Sequence, residues 1–148
     1  MEAGGDPSGG WRGLVVDTGA VMAGLPLRLP GVHLAPPSVV GEVRDRESRR
    51  LLEEAIAYGR LAVEEPRGAS LEEARRVAAR AGVLGRLSRT DLEVLALAIE
   101  RGAPVATDDY ALQLAAVEAG VGFVRVRYRG VRVGPRRGGG SRGGPGTS

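Results

Sequence analysis

Short apolar runs, separated by segments with helical spacing, predict an α/β protein: a three-layer α/β/α sandwich around a mainly parallel sheet. Three observations carry this. GLVVDT (Gly13 to Thr18), VHLAPP (Val32 to Pro37), LAVEEP from Leu61 and PVATDD are each short enough to be one strand, and the first reads as a buried parallel strand ending on a polar residue. Between them, apolar residues recur three and four apart. Five acidic residues, Asp17, Glu42, Asp91, Asp108 and Asp109, each fall just after an apolar run or in a helix's first turns. In a parallel sheet those positions converge on the edge where ligands bind, beyond the strands' carboxyl ends.

The elements follow in order. After the first two strands, SVVGEVRDRESRRLLEEAIAYG carries two apolar stripes, Val39, Val40 and Val43, then Leu51, Leu52, Ala55 and Ile56, which predict two helices. LAVEEP is a third, weaker strand. A helix over Leu71 to Ala81 ends at Gly82. LSRTDLEVLALAIERG is the clearest helix. Ser88 with Asp91, or Thr90 with Glu93, forms its capping pair, and Leu92, Leu95, Ala96 and Ile99 form its buried stripe. PVATDD is the fourth strand and YALQLAAVEAG the next helix. VGFVRVRY closes the series as an edge strand whose alternating Arg125, Arg127 and Arg129 face water. Residues 1–10 read as a disordered leader, 11–133 as one folded domain and 134–148 as a disordered Arg/Gly-rich tail with nothing apolar to bury.

Composition narrows the chemistry. The chain has 148 residues, 43% of them apolar and only 3% aromatic, so the core should be aliphatic. No signal peptide and no run of the ~20 apolar residues that a membrane span needs is visible, so the expectation is a cytoplasmic protein without membrane contact. Zero cysteines and a single histidine, His33, exclude disulfides, thiol catalysis and multi-histidine metal centres. Residues 1–124 hold 14 arginines against 18 acidic residues, a balance of −4, whereas residues 125–148 hold seven arginines and no acidic residue. An acidic body with a basic end suits an enzyme that grips a polyanion. Every basic residue is Arg, which favours bidentate phosphate contacts and is equally expected of a GC-rich genome. Arg125, Arg127, Arg129, Arg132, Arg136, Arg137 and Arg142 are therefore candidate RNA contacts, with a solubilising tail as the alternative.

Asp17, Glu42, Asp91 and Asp108 are the candidate catalytic residues. Singly, each is explained by capping or by the helix dipole; four at one edge favour a shared role. Glu42, flanked by Val39, Val40 and Val43, is expected to lie where neither capping nor solvent exposure accounts for its charge. Carboxylates crowded in a cleft repel one another and need a compensating cation. With only oxygen ligands to offer, the chain would take Mg²⁺ or Mn²⁺ ahead of Zn²⁺. Asp109 is either an auxiliary ligand or simply a first-turn residue. Thr18 and Thr107 are expected either to orient water or the ligand carboxylates or to serve as local backbone partners. Asp45 is expected to pair with Arg49, and His33 to be packed or edge-exposed instead of acting as a general base.

VVDTGAV, PPSVVGEVRDRESRRLLE, LSRTDLEVLALAIE and TDDYALQLAA together resemble the PIN-domain ribonucleases, and more narrowly their Nob-type ribosome-biogenesis branch. The resemblance covers roughly Leu14 to Val133. It implies a PIN-like fold and Mg²⁺- or Mn²⁺-dependent endonucleolytic cleavage of single-stranded RNA, with maturation of the 3′ end of small-subunit rRNA precursor as the Nob-type task. The family's acidic positions match Asp17, Glu42, Asp91 and Asp108, with Asp109 auxiliary. It also implies a homodimer. Nob-type proteins usually continue into a Cys-rich zinc ribbon, and this sequence has no cysteine. A separate zinc-ribbon protein, substitution by the Arg-rich tail, or a related PIN ribonuclease with another substrate all remain open. Two alternatives to rRNA maturation stand beside it: a VapC-like toxin acting on tRNA, and a non-catalytic RNA-binding scaffold.

Overall fold

The computed structural model describes residues 13–127. The expected leader and tail, and Arg129, Arg132, Arg136, Arg137 and Arg142, lie outside the described residues. In chain order the elements are β1 (Val15–Val16), α1 (Thr18–Met22), α2 (Leu25–Arg28), β2 (His33–Ala35), α3 (Pro37–Glu42), α4 (Arg46–Ala57), β3 (Leu61–Val63), α5 (Gly68–Arg80), a 3₁₀ turn (Leu84–Arg86), α6 (Arg89–Arg101), β4 (Val105–Ala106), α7 (Tyr110–Glu118) and β5 (Phe123–Val124). The five strands form one all-parallel sheet in the order β3-β2-β1-β4-β5. Helices cover both faces, as the sequence predicts for a three-layer sandwich.

The three central strands are dry. Val15, Val16, Leu34, Val105 and Ala106 are fully buried, which explains why these runs show no alternation of apolar and polar residues. Helix α6 packs against β1, β2 and β4 on one side and against α5 and α7 on the other. Its Val94 to Ala98 stretch is entirely buried, so it is apolar nearly all round, as a helix enclosed on several sides must be. Ser88 and Asp91 complete its capping box, so this pair, and not Thr90 with Glu93, starts the helix. Gly102 ends it at φ 63°, a left-handed conformation open to glycine.

Four expectations need correction. Helices α1 and α2 fill the span between β1 and β2, where the sequence suggested no element; Gly24, at φ 78°, separates them, and Pro26 opens the second. Helix α5 begins at Gly68, three residues before the expected Leu71. Strand β5 is an edge strand but stops at Val124, so Arg125 and Arg127 do not alternate along it. Asp45 caps α4 through the Ser48 amide (2.9 Å), while Arg49 donates to the carbonyls of Val40 and Val43 and pairs with Glu53. A cap satisfies an otherwise orphaned amide, which an exposed i,i+4 pair cannot do.

Among the described residues, no helix is long and apolar enough to cross a membrane.

Candidate functional site

Neighbouring strands β1 and β4 run in register, Val15 with Val105 and Val16 with Ala106. The next residues, Asp17 and Thr107, therefore leave the sheet side by side at its carboxyl edge. Asp17 caps α1, its Oδ1 accepting from the Ala20 amide at 2.8 Å. Thr107 is fully buried, and its hydroxyl bonds the Asp17 carboxylate while accepting the Asp109 amide at 3.0 Å. One hydroxyl thus links the first and fourth strand ends, using both its donor and an acceptor lone pair.

Asp17 is strained electrostatically. Burial pushes its carboxyl above the ordinary carboxylate range, and the nearby charges of Asp91 and Asp108 push the same way. Hydrogen bonds from Thr107 and Ala20 oppose them without cancelling the effect. The structure therefore brings Asp91 and Asp108 within electrostatic reach of Asp17.

Glu42 is the last residue of α3 and exposed, contrary to the expectation that its flanking valines would exclude solvent. The valines turn inward, Val39 and Val43 being buried, while the six-residue helix ends with Glu42 outward. Two hydroxyls hold its carboxylate: Thr18 donates to Oε1 at 2.6 Å and Thr90 to Oε2 at 2.7 Å. Each oxygen has one donor and keeps lone-pair capacity to spare. Thr90 is the residue that sequence reasoning missed. Its hydroxyl, misread as a cap, belongs instead to a partner 48 positions away. Glu93, its supposed capping partner, accepts from Ser38 and pairs with Arg89.

The other carboxylates have local tasks as well. Asp91 accepts the Ser88 amide at 3.0 Å within the capping box. Asp109 caps α7 through the Ala111 amide at 3.2 Å, its first-turn reading. Asp108 accepts the amides of Val126 (2.8 Å) and Arg127 (3.1 Å) and lies 3.6 Å from the Arg127 guanidinium. Asp17, Asp108 and Asp109 line a cleft of about 270 Å³ together with Gly19, Ala23, Val126 and Arg127. Glu42 and Asp91 are not among its lining residues. Among the described residues, no group of three or more His, Cys, Asp or Glu side chains is placed to hold a metal ion.

His33 is buried in β2, away from this edge. Its Nδ1 accepts the Leu14 amide (3.0 Å) and its Nε2 faces the Leu29 carbonyl (3.2 Å), which fixes the Nε2–H tautomer. The same carbonyl accepts from Arg60. Burial lowers the imidazole pKa, and the Arg60 charge adds to the effect, while the bond to Leu29 opposes it. Of the candidate RNA-binding arginines that are described, Arg125 is half-buried and Arg127 is exposed on the wall of the cleft.

Comparison with known proteins agrees with this architecture. A family model for the PIN domain of ribonuclease matches residues 14–100. Ribonuclease VapC3 of Aeropyrum pernix is 54% identical over 126 residues, 82% of this chain and 91% of that protein. Endoribonuclease Nob1 of Pyrococcus abyssi is 41% identical over 119 residues, 80% of this chain and 71% of that protein. Ribonuclease VapC1 of Thermoplasma acidophilum is 33% identical over 115 residues, 78% of this chain and 58% of that protein. A sheet whose first and fourth strands deliver aspartates to one edge, and a family match over more than half the chain, lead to one assignment: the chain belongs to the PIN-domain ribonucleases.

Proposed function

We propose that the chain is a divalent-metal-dependent endoribonuclease that cuts single-stranded RNA at the Asp17 edge. The observation that carries this reading is the environment of Asp17: a half-buried carboxylate beside two further carboxylates, held ionisable by the Thr107 hydroxyl and the Ala20 amide. The donors fit Mg²⁺ or Mn²⁺. Only oxygen is on offer at this edge, and such ions are commonly held by one or two carboxylates, with water and substrate phosphate completing six positions, so three carboxylates in direct contact are not needed. Asp17 would hold the ion directly, with Asp91 and Asp108 acting through water and Asp109 as an auxiliary. When bound, the ion supplies charge compensation and Lewis acidity toward a phosphodiester.

The residues themselves do the positioning. Thr107 fixes the Asp17 carboxylate, and the register of β1 and β4 fixes the distance between Asp17 and Asp108. Thr18, the neighbour of Asp17 in the chain, and Thr90 hold the Glu42 carboxylate by one hydrogen bond to each oxygen, and so held it could order a water. Hydrolysis requires Asp17 to be ionised. Because its pKa is raised in the metal-free chain, protons should compete with the cation for Asp17, and metal affinity should fall on acidification at a pH above that expected of an ordinary carboxylate.

Maturation of the 3′ end of small-subunit rRNA precursor is supported by the motif blocks LSRTDLEVLALAIE and TDDYALQ and by the Nob1 similarity. A VapC-like activity on tRNA has its own support, since VapC3 is matched over 91% of its length and Nob1 over 71%. Both readings share one chemistry and differ in the RNA. Purified protein should be incubated with Mn²⁺ and either an RNA spanning a small-subunit 3′ junction or tRNA. Discrete cuts in one of them, absent with Asp17→Asn, are expected. Equal cutting by Asp17→Asn shows that Asp17 is not the site, and no cutting of any single-stranded RNA leaves the non-catalytic scaffold; either result defeats the proposal.

A further inference from the structure

We infer that Tyr110 is a stacking platform for a nucleobase of the RNA strand whose phosphate is presented to the Asp17 edge; this rests on the ribonuclease reading above. A polyanion approaching clustered carboxylates is repelled by the groups that would cut it. Grip near such a site must therefore come partly from contacts without negative charge, and base stacking on an aromatic ring is one such contact.

The described residues offer one aromatic ring for this at the right place. Tyr110 is the first residue of α7 and directly follows Asp109, which lines the cleft. It is 62% exposed in a chain that is only 3% aromatic. The other exposed aromatic among the described residues, Tyr58, closes α4 just before β3 begins and so stands at the opposite, amino edge of the sheet. Phe123 packs against the core. The backbone beneath Tyr110 is pinned on both sides of the strand end: the Thr107 hydroxyl accepts the Asp109 amide, and the Asp109 carboxylate accepts the Ala111 amide. Arg127, 79% exposed, adds a cation on the cleft wall for the neighbouring phosphate. Every base has a π-face, so this subsite tolerates any sequence and fixes the strand's position instead of reading it.

The test uses the full chain carrying Asp17→Asn, so that bound RNA stays intact, and a single-stranded RNA with 2-aminopurine placed at successive positions. Quenching at one position is expected. Adding Tyr110→Ala should remove that quenching and weaken binding roughly tenfold, whereas Tyr110→Phe and Tyr58→Ala should each keep both. Unchanged binding and quenching in Tyr110→Ala, or an equal loss in Tyr58→Ala, overturns the inference, as does failure of the parent to bind RNA. Because this readout needs no cleavage, it separates the two claims. Cutting by the native chain without a Tyr110 effect removes the platform alone, and a Tyr110 effect without cutting removes the ribonuclease reading alone.

Discussion

Two polar groups of the sheet, Asp17 after β1 and His33 in β2, lie in adjacent strands yet differ in how the protein treats them. His33 is 2% exposed and has a backbone partner for each nitrogen, Leu14 and Leu29. Asp17 has hydrogen bonds too, but its neighbours include Asp91 and Asp108, and its ionised form is disfavoured. The histidine is a finished structural contact. The aspartate is left with a charge that its hydrogen bonds do not fully offset, an imbalance found at functional sites and in structural ion networks alike.

Substitutions can break this contrast. Asp17→Asn should lower RNA cleavage by on the order of 10³-fold, about 4 kcal/mol of barrier, yet raise Tm at neutral pH. The sign follows from the raised folded pKa: Asp17 favours the fold when protonated, and that advantage is lost as pH rises from the unfolded value through the folded one. Asn keeps the acceptor for the Ala20 amide, so the cap survives. A lower Tm would show that Asp17 is structural after all. Thr90→Val removes one of the two hydroxyls that orient Glu42, and activity should drop by roughly 10- to 100-fold, the size of effect seen when a group that orients a site residue is lost, with Thr90→Ser restoring most of it. If valine cuts RNA as well as threonine, Glu42 is not used.

His33 tests the opposite side of the comparison. Its folded pKa is lowered, so its contribution to stability is full above the unfolded value of about 6.5 and is lost as pH falls below it. Urea midpoints measured between pH 8 and 5 should decline across that window. His33→Ala leaves the Leu14 amide unpaired and should cost about 2 kcal/mol, flattening the decline, with RNA cleavage retained in the folded fraction. The smallest effect belongs to Arg127→Ala. Its ion pair with Asp108 is 79% exposed on the arginine side, so the stability change should stay below about 1 kcal/mol in thermal unfolding.

The order of strands and helices was legible because buried parallel strands and amphipathic helices write distinct periods into the chain. Asp17 and Asp108 were legible as strand-end residues for the same reason, and a capping box at the start of α6 because its spacing is fixed; that Ser88 with Asp91 forms it and not the equally spaced Thr90 with Glu93 was not legible. Helices α1 and α2 were not, since five- and four-residue helices interrupted by Gly24 and Pro26 carry no period. The exposure of Glu42 depended on where α3 stops, which its flanking valines do not encode. Thr90 to Glu42, and Val126 to Asp108, are contacts across 48 and 18 residues; spacing rules reach only within one element. His33 was expected to be packed or exposed, and burial with two backbone partners decides for packing.

Binding of Mn²⁺ by the native chain and by Asp17→Asn, measured by calorimetric titration without RNA, tests the central claim most directly. The account predicts saturable binding to the native chain that is abolished or strongly weakened by the substitution, while the fold is retained. Equal binding by both proteins, or none by the native chain, would contradict it.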